Sequence, residues 1–283
     1  MSLATEIGEP ESRFADVAGC RLHYQSVGDG PTVVCLHGGG PGATGWTNFS
    51  RNVDGLARRF RLLLVDFPGF GRSTAPAPIP RPLEFFAEVV EALIGELGID
   101  RAHFIGNSTG GGVSIVIAAH RPELVDRLVL MGTAGYGSSL LNPSPSEGVR
   151  LIRSYYPGPS LDKMRWLIKS FVYDSSGRDF EDLVRLRYEA SLDPALEQAA
   201  LERGQHSSLV DLLPEVAAET LLIWGREDRF VPLEHALGFL GGIRNSRLVV
   251  FPRCGHWVMA ERVEEFNHHV VDFLTRDLEG ERA

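Results

Sequence analysis

Residues 102–112, AHFIGNSTGGG, decide how the rest of this chain is read. Ala102–Ile105 is a short apolar run, and Gly110–His120 follows with a helical pattern, so Gly106-Asn107-Ser108-Thr109-Gly110 stands on a strand-to-helix turn. That is the setting in which G-x-S-x-G is a nucleophile elbow and not merely a glycine-rich turn. Small residues flank Ser108 because the turn is tight and its backbone crowds neighbouring elements. The turn is expected to lift the serine hydroxyl clear of a sheet and set it at a helix N-terminus, where amide groups and the helix dipole favour developing negative charge.

On either side, strand-like and helical runs alternate. PTVVCLHG (31–38), RLLLVDF (61–67), DRLVLMG (126–132), TLLIWG (220–225) and SRLVVF (246–251) are short and rich in Val, Leu and Ile. Their continuous apolarity suits strands buried on both faces. Two further strands are expected near Phe14–Val17 and Arg21–Val27, with helices over Pro82–Leu97, Gly110–His120, Leu233–Leu240 and Val263–Leu274. The alternation predicts an α/β chain with a mostly parallel, doubly wound sheet. Between about Gly135 and Leu213 no buried strand is evident; Ser160–Tyr173 and Phe180–Gln198 read as helices, after the turn-rich opening YGSSLLNPSPSEG. We therefore expect a core of residues 1–134 and 214–283, and a helical cap, 135–213, inserted over the carboxyl ends of the strands, where open α/β sheets bind ligands.

A serine hydroxyl is a weak nucleophile until a base takes its proton. Of nine histidines, His256 stands in the loop RCGHW after strand LVVF and before the last helix, the place this fold gives the base. His23, His120 and the pair His268-His269 have ordinary positions in a strand, at a helix end and within a helix. Asp228, in GREDRFVP after strand TLLIW, takes the position of the carboxylate that orients the imidazole; neighbouring Glu227 is expected to face solvent. The chain order Ser108, Asp228, His256 is that of the α/β-hydrolase fold. An oxyanion hole needs two converging amides. Thr109 supplies one, and the glycine run His37-Gly38-Gly39-Gly40-Pro41-Gly42 brings up a second; a phosphate-loop reading of HGGGPG fails because neither the Lys-Ser/Thr ending nor GxGxxG spacing is present.

With 283 residues, 43% hydrophobic and 23% charged, the chain can bury a large core without disulfides or metals. Its formal charge of −9 and scattered basic residues argue against nucleic acid and anionic membrane as partners. Cys20, Cys35 and Cys254 are too far apart for a CxxC site, which leaves a nucleophilic Cys254, beside Gly255-His256, as the minor alternative. The N-terminal stretch MSLATEIGEPESRF has no apolar core of a signal peptide, and no run reaches membrane-spanning length. A small-molecule substrate, no metal, no organic cofactor and a cytoplasmic location are the expectations.

HGGGPGATGWTNFSRN (37–52), GNSTGGG (106–112), WGREDRFVPLEHAL (224–237) and RCGHWVMAERVEEFN (253–267) resemble the blocks of the meta-cleavage product hydrolases, α/β-hydrolases that split carbon–carbon bonds. The likeness covers most of the chain, is weakest in the cap, and is nearest to actinobacterial members of steroid-ring or aromatic degradation. It implies a 2-hydroxy-6-oxohexa-2,4-dienoate-type substrate, cleaved by water to a 2-hydroxypenta-2,4-dienoate and a carboxylic acid, and a homo-oligomeric enzyme without cofactors. It also implies Gly39 and Thr109 as the oxyanion hole, Gly40, Asn48 and Asn107 on the dienoate, Arg187 on its polar end with Arg185 as a near competitor, and Trp257 against the substrate. Two departures bear on acyl specificity: Thr109 stands where the family commonly has an apolar residue, and the segment after Arg187 is shortened, with uncertain register near Ser175-Ser176-Gly177. Carboxylesterase or proline iminopeptidase chemistry, which HGGGPG also resembles, is the alternative reaction. A non-catalytic small-molecule receptor on the same fold is the alternative of another class.

Overall fold

The computed structural model describes residues 7–76, 78–137, 141–142, 144–177 and 179–280. Residues 1–6 of the N-terminal stretch, and 138–140 and 143 of the turn-rich opening, lie outside them. Eight strands form one sheet: β1 (Ser12–Val17), β2 (Cys20–Val27), β3 (Thr32–Leu36), β4 (Arg61–Val65), β5 (Ala102–Asn107), β6 (Val125–Met131), β7 (Glu219–Gly225) and β8 (Ser246–Phe251), in spatial order β1-β2-β4-β3-β5-β6-β7-β8. The pairs β1–β2 and β2–β4 are antiparallel and the remainder parallel. The exchange in order at β3 and β4 makes β3 and β5 neighbours, so the HGGG loop and the elbow leave the sheet side by side.

Helices cover both faces. α1 (Gly45–Leu56), α9 (Val258–Glu261) and α10 (Val263–Gly280) pack together on one; α2 (Pro82–Glu96), α3 (Thr109–His120) and α8 (Leu233–Gly242) take the other. Every residue of β5 is buried, as the continuous apolar run requires of a central strand. β8 departs from that expectation: as the edge strand it is half-buried until Phe251. In β2, His23 is buried and satisfied by Asp66 (2.8 Å) and Ser12 (3.0 Å).

Between β6 and β7 run α4 (Glu147–Tyr155), α5 (Leu161–Phe171), α6 (Phe180–Ala190) and α7 (Pro194–Leu201), and no strand among the described residues. The single helix expected over Phe180–Gln198 is thus two. Pro194 has no amide to continue α6, whereas Asp193 accepts from the Ala195 amide (2.8 Å) and caps a new helix at that point. α1 and α4 were not anticipated. Thr44 and Thr47 cap α1 reciprocally, and Ser146 caps α4.

Candidate active site

Ser108 sits between β5 and α3 with φ +54° and ψ −112°, a conformation an L-residue holds only where its surroundings enforce it. They do so here: the Ser108 amide donates to the Met131 carbonyl (2.8 Å), and the Ser108 carbonyl accepts from Gly112 (3.1 Å) and Ala134 (3.0 Å). A β-carbon at Gly106 would overlap the Gly110 carbonyl, and one at Gly110 the Leu36 carbonyl, so both glycines are needed for the turn to close. β5 is buried throughout and Ser108 is the first residue to emerge.

The His256 loop leaves the same sheet edge. His256 is 1% exposed, and its Nδ1 lies 2.7 Å from Asp228 Oδ2. The other carboxylate oxygen accepts from the Phe230 (2.7 Å) and Val231 (2.9 Å) amides, so Asp228 is held at both oxygens. This fixes the tautomer that leaves Nε2 as the proton acceptor. Nε2 is buried and has no hydrogen-bond partner among the described residues. The ring lies against Phe230 (5.0 Å between centroids) and Phe171 (5.7 Å), and the His256 amide donates to the Phe171 carbonyl (2.8 Å) at the end of α5. Glu227 does not simply face solvent: it pairs with Arg226 (2.8 Å) and accepts from the Cys254 amide (3.1 Å), which steadies the histidine loop. Cys254 is fully buried, and burial pushes its thiol up, which opposes the thiolate a nucleophile needs.

A cavity of about 550 Å³ opens at this edge, lined by every site residue nominated from sequence except Asp228, which stands behind His256. Gly39 and Thr109 meet closely enough that a β-carbon at residue 39 would lie 2.6 Å from Thr109 Oγ1. Neither amide finds an acceptor among the described residues. Asn48 Nδ2 donates weakly to Asn107 Oδ1 (3.3 Å); both side chains are buried. On α6 the buried positions are Phe180, Val184 and Arg187, one helical face, while Arg185 is exposed. That periodicity separates the two arginines. Arg187 is 2% exposed, donates to Thr47 Oγ1 (3.2 Å), lies over the Trp257 ring (5.3 Å) and has no partner at Nε. Burial pulls its guanidinium down to about 10, so it stays charged at neutral pH. Gly40 lies beside it, and Trp257 stacks on Phe171 (4.1 Å).

Several contributors went unnoticed in the sequence. Phe171 and Phe230 form the aromatic wall behind His256, and Phe230 was within reach because it stands two residues after Asp228. His37 is fully buried; its Nδ1–H donates to the Gly38 carbonyl (2.7 Å) and its Nε2 accepts from the Phe67 amide (3.0 Å), pinning the glycine loop to the end of β4. Burial pushes its pKa down to about 4. Gly132, after β6, leaves room for the His256–Asp228 pair. Arg203 and His206 line the cavity from the segment after α7.

The alpha/beta hydrolase family model matches residues 33–269. A 2-hydroxy-6-oxononadienedioate/2-hydroxy-6-oxononatrienedioate hydrolase of Cupriavidus pinatubonensis is 41% identical over 90% of this chain and 90% of its own. A 2-hydroxy-6-oxo-6-phenylhexa-2,4-dienoate hydrolase of Comamonas testosteroni is 39% identical over 95% of this chain and 99% of its own. Among solved structures, a meta-cleavage product hydrolase from Pseudomonas fluorescens IP01 superposes with a TM-score of 0.82 at 33% identity, over 94% of this chain and 98% of that one.

Proposed function

Because the chain belongs to the alpha/beta hydrolase family and, within it, to the meta-cleavage product hydrolases, we propose that it hydrolyses a carbon–carbon bond in a 2-hydroxy-6-oxohexa-2,4-dienoate-type ring-fission product. The products are a 2-hydroxypenta-2,4-dienoate and a carboxylic acid. The observation that carries the reaction is His256, oriented by Asp228 and with Nε2 buried and unpartnered, in one cavity with Ser108.

The dienoate end binds at Arg187, Asn48, Asn107 and Gly40, against Trp257. A guanidinium there stabilises the carboxylate and the 2-oxygen as the dienol becomes its keto tautomer, with the proton delivered to C5. Ser108, or a water, then loses its proton to His256 Nε2 and adds to the C6 ketone, whose oxygen becomes an anion between the Gly39 and Thr109 amides. When that carbonyl reforms, the C5–C6 pair moves into the chain and ends on the 2-oxygen, which takes the proton from His256; on the water route the acyl group leaves as the acid, and on the serine route it stays on Ser108 Oγ until a water, deprotonated by His256, releases it as the acid and restores the serine. The helices between β6 and β7 act as the cap, residues 135–213 on a core of 1–134 and 214–283, that keeps bulk water from the intermediate. The setting is degradation of aromatic or steroid rings, by a homo-oligomer in the cytoplasm; no helix among the described residues is long and apolar enough to cross a membrane.

The test follows the absorbance of the dienolate on mixing with enzyme. Ser108→Ala and His256→Ala are each expected to lower kcat by about 10⁴-fold or more, in line with removal of a triad member. Parental turnover by both variants, or hydrolysis of aryl esters and prolyl amides with no action on ring-fission products, overturns the reading.

A further inference from the structure

Among the described residues, every exposed part of the catalytic cavity's lining falls within residues 137–208, Ser144, Arg153 and Gln205 included. The side chains assigned to the dienoate, Asn48, Asn107, Arg187 and Trp257, are all buried. The dienoate is therefore the inner end of the bound substrate, and the acyl group the end that faces the mouth. That order creates a difficulty for release. On the serine route the acyl group is still bonded to Ser108 when the dienoate has to go, so the mouth is obstructed at the moment the first product must leave.

A second cavity, of about 540 Å³, lies against the inner end. Its volume falls in the roughly 300–1,000 Å³ range of small-molecule sites. Asn48 and Trp257 line both cavities and form the partition between them. Exposed Tyr173, Asp174 and Ser176, between α5 and α6, bring the second cavity to solvent. Its chemistry continues that of the dienoate site. Arg187 donates to Thr47 Oγ1 (3.2 Å), and Arg51 stands four residues further along α1, one turn away, where β-carbons are about 5–6 Å apart. Arg51 pairs with Asp179 at the start of α6 and donates to the Ala260 carbonyl (3.2 Å). Both members of that pair are part-exposed, and such a pair contributes little, so another carboxylate exchanges with Asp179 readily. The other acids of this lining are engaged: Asp174 accepts from the Ser176 amide (2.9 Å), and Glu261 from those of Tyr173 and Gly255 (2.7 Å each). We propose that the second cavity is the exit for the 2-hydroxydienoate product, whose carboxylate passes from Arg187 to Arg51 and leaves between α5 and α6 without crossing the acyl end. This rests on the reaction proposed above.

The experiment compares two rates on one ring-fission product, the 6-phenyl compound: dienolate loss in a single turnover, with enzyme in excess, and kcat. Leu183→Trp fills the second cavity from α6, Ser176→Trp narrows its mouth, and Arg51→Gln removes the relay charge. In each variant the single-turnover rate is expected to stay within about twofold of the parent while kcat falls about tenfold, because release now limits the cycle. A burst of dienolate loss, stoichiometric with active sites, then precedes the steady state. Arg51→Lys keeps part of the parental kcat, because charge survives without the planar fork. Structural damage lowers both rates together. A ratio of the two rates that stays parental in both tryptophan variants, or in Arg51→Gln, overturns the exit and leaves the reaction standing. A parent that cleaves no ring-fission product removes both.

Discussion

Gly132→Ala tests the His256–Asp228 geometry without touching either residue. A β-carbon at position 132 would lie 2.6 Å from His256 Nδ1, 2.7 Å from Cε1 and 3.0 Å from Asp228 Oδ2. Non-bonded heavy atoms settle at about 3.5–4.0 Å, so one partner must retreat by roughly 1 Å. Asp228 is tied to two amides, hence the imidazole moves, and it moves away from the 2.7 Å contact that orients it. Misplacement on that scale lowers kcat by about 10²-fold; the ceiling is the roughly 10⁴-fold cost of a lost orienting carboxylate. Stability falls as well. Gly132 has φ +48°, where a side chain costs about 1–2 kcal/mol, and overpacking adds about 1–3 kcal/mol. A net loss of about 2–5 kcal/mol corresponds, in a chain of 283 residues, to a Tm lower by roughly 3–8 °C. Gly98→Ala separates the two effects: Gly98 has φ +64° and nothing within 4 Å, so this variant loses about 1–2 kcal/mol with parental kcat. The assay pairs a thermal melt with kcat from dienolate absorbance at saturating substrate. Parental kcat in a folded Gly132→Ala enzyme, or a loss equal to that of Gly98→Ala, refutes the argument.

The folded-state pKa of His37 lies below its ordinary value of about 6.5, so its contribution is fully present above pH 6.5 and is lost as pH falls toward about 4. For this fully buried ring the loss amounts to about 3 kcal/mol; urea unfolding at pH 7 and pH 4.5 measures it, and a His37→Gln enzyme should show a flatter dependence, so equal slopes in the two proteins disprove it. Glu261 accepts from the Tyr173 (2.7 Å) and Gly255 (2.7 Å) amides and joins the end of α5 to the histidine loop. Glu261→Gln turns an NH₂ toward one of those donors, which costs about 1–3 kcal/mol and is expected to reduce kcat about tenfold; a melt and kcat both at parental values would count against that clasp.

Much of this protein is legible in one dimension because the relevant signals are local. Strand β5 with Ser108, strand β7 with Asp228, and β8 with the His256 loop are each a short apolar run followed by a loop of distinct chemistry, and backbone periodicity alone places them. Local signals also explain the failure over Phe180–Gln198, where helical composition outweighed the proline that divides it. What the folded chain decided is what touches what across long separations. α6 turns Arg187 inward and Arg185 outward; Gly132, 96 residues before Asp228 in the numbering, leaves space for the His256–Asp228 pair; and Arg203 faces a cavity whose lining has no carboxylate. Burial, steric room and uncompensated charge belong to a shape assembled from several segments, and no single segment carries them.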